Sequence, residues 1–98
     1  MNNKISVITV VYNDVKHIES TIKSYLSQTW ANKEYIVIDG GSNDGTAEII
    51  KQYADKIAYW CSEKDEGIYD AMNKGISHAT GDWIIMLNSG DEFSTESA

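Results

Sequence analysis

Four short apolar runs alternate with amphipathic stretches along the 98 residues. Ile5-Ser6-Val7-Ile8-Thr9-Val10-Val11 is rich in β-branched residues and predicts a strand. Asn13-Asp14 then offers a helix cap, and Ile18, Ile22, Tyr25 and Leu26 recur at helical spacing. Tyr35-Ile36-Val37-Ile38 predicts a second buried strand, ended by Asp39-Gly40-Gly41-Ser42. Asp44-Gly45-Thr46 opens a helix whose inward face is Ala47, Ile50 and Ala54, with Ile49 and Tyr53 alongside. Ile57-Ala58-Tyr59-Trp60 predicts a third strand. Gly67 precedes a helix carrying Ile68, Ala71, Met72, Ile76 and Ala79, Gly81 stops it, and Trp83-Ile84-Ile85-Met86-Leu87 is the fourth strand.

Strands that are apolar almost throughout, alternating with helices, imply a parallel sheet covered on both faces, an α/β architecture. Right-handed crossovers bring the C-terminal ends of all the strands to one edge. Tyr12-Asn13-Asp14, Asp39-Gly40-Gly41-Ser42 and Asn88-Ser89-Gly90-Asp91 each follow a strand, so they are expected to converge there. Open α/β sheets bind ligands along that edge.

The length fits one domain, 1–98, with no internal repeat or linker, and there is no proline. Net charge is −7 and all eight basic residues are lysines, which argues against a phosphate-tracking nucleic-acid surface. Without a guanidinium fork, a bound diphosphate must be met by lysine, backbone N–H groups or a metal. A single cysteine, Cys61, excludes an internal disulfide, and no leader peptide is visible, so a cytoplasmic location is expected.

Each polar cluster has a plain reading beside a functional one. Asp44 fits a helix cap, whereas Asp39 at a strand end facing the crevice suits hydrogen bonding to a base or ribose. The glycines match neither G-x-G-x-x-G nor a calcium loop, whose sixth position would be Asp44. Lys64 and Glu66 read as solvated loop residues. Asp70, Asn73 and Lys74 are either ordinary helix-surface groups or line a ribose and its phosphates. Asn88-Ser89-Gly90-Asp91 is either a turn or a carboxylate-bearing end suited to Mg2+ or Mn2+. His17 and His78 read as surface residues, Cys61 as a packed thiol, and Trp30, Trp60 and Trp83 as core or rim packing.

SVITVVYN (6–13), SQTW (27–30), YIVIDGGSNDGT (35–46), DEGIYDAMNKGI (65–76) and ATGDWIIMLNSGD (79–91) together resemble the amino-terminal half of an inverting family 2 glycosyltransferase of the GT-A fold. The resemblance implies a Rossmann-like half-domain of four mainly parallel strands in the order 3-2-1-4, with three helices, truncated before the acceptor-binding half. It implies nucleotide contacts at Val10, Tyr12, Asp39, Gly40, Gly67, Asp70, Asn88, Ser89 and Gly90, and a divalent metal, Mn2+ or Mg2+, at Asp91. Gly40 and Gly90 stand where the family has acidic residues, and Asn88 is likewise a departure.

The activity implied for the full-length protein is transfer of a sugar from a nucleotide-diphosphate donor, a UDP-sugar, to a glycan or lipid-linked acceptor in bacterial surface polysaccharide synthesis. Such an enzyme sits in the cytoplasm, peripherally at the inner face of the membrane. The general base is expected beyond Ala98, so the 98 residues are expected to bind nucleotide and be inactive, and to self-associate through the surface that truncation exposes. The rival is a non-catalytic nucleotide- or metal-binding α/β module. Its receiver-like form needs a lysine ending the fourth strand, which is lacking. A nucleotidyltransferase needs a basic glycine-rich loop where Tyr12-Asn13-Asp14-Val15 stands.

Overall fold

The computed structural model describes residues 4–29, 32–64 and 67–89. Its elements run β1 (Ile5–Val11), α1 (Ile18–Leu26), β2 (Lys33–Asp39), α2 (Thr46–Gln52), a 3-10 turn (Ala54–Lys56), β3 (Tyr59–Ser62), α3 (Ile68–His78) and β4 (Trp83–Met86). All pairings are parallel, and the strand order is β3-β2-β1-β4. The α/β architecture and the 3-2-1-4 order read from the sequence are both present.

Side chains alternate between two core layers. Val7, Val11, Tyr35 and Val37 point to the side that holds Ile18, Ile22 and Tyr25 of α1 and Ile50 of α2. Ile8, Val10, Ile36 and Ile38 point to the opposite side, where Ala71 of α3 packs. A period of two along each strand with apolar residues at both phases is the signature of a sheet covered on both faces. Within the first layer Thr9 Oγ1 and Tyr35 Oη are paired at 2.6 Å. The Tyr35 ring stacks on Tyr25 at 4.2 Å.

Two local expectations shift. The third strand begins at Tyr59 rather than Ile57, because the Ile57 N–H goes back to Ala54 O and sheet pairing starts at Ile36–Tyr59. Ile76 of α3 is 44% exposed, and Ala71 and Gly75 are the α3 positions buried against the sheet. Trp83 is 61% exposed because β4 is an edge strand; Trp60 is part of the rim as expected, and Trp30 lies outside the described residues. Trp83 and Ile84, on opposite faces of the edge strand β4, are both exposed apolar side chains, and the expected self-association would rest on this edge.

Glycine is what lets α3 approach β1. A Cβ on Gly75 would lie 2.6 Å from Ile8 Cγ2, a branched atom of a fully buried side chain with little room to yield. Gly75→Ala is therefore expected to cost about 1–2 kcal/mol, the overpacking penalty less the gain in helix propensity. Thermal unfolding should show the midpoint about 5–15 °C lower. An unchanged midpoint would mean that α3 is not seated this closely.

Candidate functional site: a cleft at the carboxyl edge of the sheet

The loops after β1, β2 and β4 do meet at one edge, and hydrogen bonds between them fix how. Asn13 adopts a left-handed backbone (φ 49°), donates its N–H to Ser42 Oγ at 2.7 Å, and accepts the Asn43 N–H at 2.9 Å. The Asp14 N–H donates to Thr46 Oγ1 at 3.1 Å, and the Val15 N–H to Asp44 at 3.2 Å. Asp44 also accepts the Thr46 N–H and hydroxyl, so it organises the turn into α2 from one residue before the cap position, which Gly45 takes in place of the expected Asp44. These bonds keep its carboxyl below the usual range, the Thr46 hydroxyl most of all, although exposure leaves the group screened.

The end of β4 joins the same assembly. The Ser89 N–H donates to Val10 O at 3.3 Å, and Ser89 Oγ donates to Asp14 at 2.9 Å. The other Asp14 oxygen lies 2.7 Å from His17 Nδ1. The hydrogen bond with His17 lowers the Asp14 pKa; burial opposes this and Ser89 reinforces it. His17 is at the surface as expected, yet it is tied to this bridge.

Asp39 departs from its expected role as an open carboxylate. The residue is fully buried at the end of β2: one oxygen accepts the Ser42 N–H at 3.1 Å and the Ser62 hydroxyl at 2.6 Å, and the other accepts the Ser42 hydroxyl. A ligand reaches it only if Ser42 or Ser62 gives way. The serines win because a buried carboxylate needs donors in the absence of water.

Beside these loops lies a cleft of about 470 Å3, lined by Tyr12, Gly40, Gly41, Lys64 and Gly67. The Tyr12 ring is 63% exposed. Val10 is buried in the core layer on the α3 side of the sheet, the lower layer, and meets the site through its carbonyl. Gly40 donates its N–H to Val11 O, which draws β2 against the end of β1. Gly67 has φ 116° and nothing within 4 Å of a notional Cβ, so conformation rather than space calls for glycine there. Gly41 needs glycine twice over: φ is 88°, and a Cβ would stand 3.1 Å from the Lys64 backbone nitrogen. The close approach expected of the paired glycines is thus to the protein's own β3–α3 loop.

Asp70 and Lys74 on α3 are 3.8 Å apart, and Lys74 reaches Glu63 at 3.1 Å. Glu63 raises the Lys74 pKa, so the helix-surface reading accounts for that lysine. Asn73 and Asn88 are exposed, while Gly90 and Asp91 lie outside the described residues. Cys61 packs against the lower layer with its pKa raised by burial, as a structural thiol does. His78 is exposed and stacks on Tyr59 at 3.6 Å.

Lys64, read as solvated loop, is exposed and also lines the cleft, which sequence reasoning did not foresee, nor did it foresee the Asp14–Ser89 bridge. The signal for Lys64 was available, because it lies two residues past the end of β3 and strand ends share one edge. For the bridge the sequence signalled only that the two loops converge, not which side chains, 75 positions apart, would pair.

The profile of the family described as "Glycosyl transferase family 2" matches residues 6–97. The chain belongs to that family. Within glycosyltransferase family 2, an uncharacterized glycosyltransferase of Mycobacterium tuberculosis is 46% identical over 91 residues, covering 92% of this chain and 35% of its own length. The chain thus spans about a third of that relative. Among solved structures, a mannosyltransferase of Pyrobaculum calidifontis in complex with GDP-Man and Mn2+ superposes with a TM-score of 0.89 at 23% identity, covering 98% of this chain and 30% of that one. Glucosyl-3-phosphoglycerate synthase of M. tuberculosis, in complex with Mn2+, UDP and glucosyl-3-phosphoglycerate, superposes at 0.73 and 25% identity, covering 89% and 33%. The GT-A fold of the glycosyltransferase is therefore shared.

Proposed function

We propose that residues 1–98 are the nucleotide-sugar-binding part of an inverting glycosyltransferase that uses a UDP-sugar. The observation that carries this reading is the meeting of the β1, β2 and β4 loop ends, through Asn13, Asp14, Ser42 and Ser89, beside a cleft that presents an aromatic ring and a cation. Val10, Tyr12, Gly40, Gly67 and Asp70 would form its nucleoside side, with buried Asp39 holding Ser42 and Ser62 behind them, and Asn88, Ser89 and Gly90 would form its phosphate side. The glycosyltransferase neighbour that holds UDP and Mn2+ supports the donor class.

A divalent cation suits this end of the sheet. Among the described residues no group of three or more His, Cys, Asp or Glu side chains is gathered for a metal. Mg2+ and Mn2+ sites of this kind need only one or two carboxylates, completed by ligand phosphates and water. Asp91, two residues past the Asp14-bound Ser89, would hold the ion. Bound there, it supplies charge compensation for a departing nucleoside diphosphate.

The whole protein would transfer the sugar to a glycan or lipid-linked acceptor in surface polysaccharide assembly, working peripherally at the inner face of the membrane. Among the described residues no helix is long and apolar enough to cross a membrane. We assign the general base to the part of the longer relatives that this chain does not cover, so the 98 residues bind donor and transfer nothing.

Equilibrium titration with UDP, GDP and ADP, with and without Mn2+, tests the assignment. UDP is expected to bind, Mn2+ to tighten it about tenfold or more, and Asp91→Ala to abolish that enhancement. Absent UDP binding, or binding that ignores both Mn2+ and Asp91, overturns it. Sugar transfer by the chain alone overturns the assignment of the base.

A further inference from the structure

β4 is the outer strand on one side of the sheet, and its backbone is engaged on its inner side, by β1. The N–H groups of Trp83, Leu87 and Ser89 go to Lys4 O, Ile8 O and Val10 O. In a parallel ladder alternate residues turn both backbone groups to the same neighbour, so Ile84 and Met86 turn theirs outward. No strand among the described residues meets them there. Edge strands are usually blunted by lysine, proline or a bulge, yet residues 83–87, Trp-Ile-Ile-Met-Leu, carry neither charge nor proline. Trp83 and Ile84 are both exposed. A row of outward donors and acceptors between apolar side chains is the surface that another strand completes.

A second copy supplies a strand with the same pattern, and a two-fold axis normal to the sheet makes the pairing antiparallel and closes it with two chains. Two constraints set the register. Residues opposite one another lie on the same face of the joint sheet, and those that exchange backbone hydrogen bonds must both be outward-turned. Ile84 opposite the partner's Ile84 meets them once, but sets Met86 against the partner's Asp82, whose N–H already goes to Lys4 O at 2.7 Å. Ile84 opposite the partner's Met86 meets them on both sides of the axis. Ile85 then faces the partner's Ile85 on the axis, Trp83 faces the partner's Leu87, and Asp82 faces the partner's Asn88. No like charges are opposed.

We propose that two copies of this chain join edge to edge along β4, antiparallel, with Ile84 opposite the partner's Met86, into one continuous sheet. The two clefts open at opposite ends of that sheet, so the joint leaves nucleotide binding unobstructed. It involves a handful of residues a side against the roughly 20–30 of a standard interface, so association is reversible and in the micromolar range. Each copy carries a net charge of −7, and salt strengthens the dimer by screening that repulsion.

Sedimentation equilibrium on the 98-residue chain, at low and high salt, reads the association directly. A monomer–dimer equilibrium that tightens with salt is expected. Ile84→Lys should weaken it about tenfold or more, since pairing would bury an ammonium beside the partner's Met86. Ile84 is 45% exposed, so the variant should keep the circular dichroism of the folded chain. On a Cys61→Ser background, Ile85→Cys should cross-link two chains under oxidised glutathione, because Cα atoms opposed at a non-hydrogen-bonded site are about 4.5 Å apart. Ile84→Cys should not, as its counterpart lies diagonally across the axis, beyond the about 7 Å that a disulfide spans. A chain that is monomeric at every concentration overturns the proposal, and so does a dimer unaffected by Ile84→Lys. Cross-linking in Ile84→Cys rather than Ile85→Cys overturns the pairing.

Discussion

Glu34→Ala is expected to lower the stability of the chain by about 2–3 kcal/mol and its unfolding midpoint by about 10–20 °C. Glu34 stands near the start of β2 at the edge opposite the cleft, with a side chain only 10% exposed. It accepts the Ser6 hydroxyl at 2.6 Å, the Thr80 N–H at 2.7 Å and the Thr80 hydroxyl at 3.1 Å, and pairs with Lys4 at 3.1 Å. Lys4 Nζ also donates to Thr80, and the Gly81 N–H donates to Ser6. One carboxylate thus joins the start of β1, the start of β2 and the connection into β4. Alanine would leave those donors facing one another without an acceptor, which is why the loss exceeds that of a surface ion pair.

The same network predicts a pH dependence. Burial by itself works to raise the Glu34 pKa, but the hydrogen bonds from Ser6, Thr80 and Lys4 outweigh it and bring the group from 4.5 to about 2. A carboxyl depressed on folding stabilises the native state above its ordinary value, and the contribution fades as pH falls toward the folded value. The stability difference between wild type and Glu34→Gln should therefore be constant above about pH 5 and shrink toward zero near pH 2. Urea unfolding across that range measures it. A difference that does not change with pH would show that charge is not what Glu34 contributes.

Asp39→Ala is expected to cost about 2–3 kcal/mol, and Asp39→Asn less than about 1 kcal/mol. Asp39 is wholly buried and serves as the common acceptor for Ser42 on one loop and Ser62 at the end of β3. Asparagine keeps the shape and one oxygen, and serine hydroxyls can turn to accept from its amide; alanine leaves the Ser42 N–H with no acceptor. Urea unfolding of the two variants separates the cases. If Asp39→Ala is as stable as the wild type, the serines do not depend on the carboxylate. Nucleotide affinity should fall with Asp39→Ala, because Ser42 holds Asn13 and the Gly41 contact sets Lys64.

Much of this was legible along the chain. β1 matches the apolar run Ile5–Val11, and the apolar phases of β1 and β2 announced a sheet covered on both sides. The loop ends after β1, β2 and β4 were expected at one edge, and they meet there. Less was legible wherever two distant segments compete for one group. Asp39 looked like a ligand contact because a sequence shows a carboxylate at a strand end but not the Ser62 hydroxyl that reaches it across 23 positions. Helical spacing gave α3 a set of apolar residues but not the centre of its buried face; Gly75 marks where α3 touches β1.

By itself, then, the sequence determined the class of fold, the edge at which the loops converge and the family, because periodicity, strand–helix alternation and short motifs are local properties that survive without a partner. Only the tertiary structure decided that Asp39 is committed to Ser42 and Ser62, that Asp14 bridges to Ser89, and that Lys64 faces the cleft with no ion pair to a described residue. The reason is physical: whether a polar group is spent on the fold or left for a ligand depends on which donors and acceptors burial brings within about 3 Å of it, and that distance is set by packing between segments far apart in the chain.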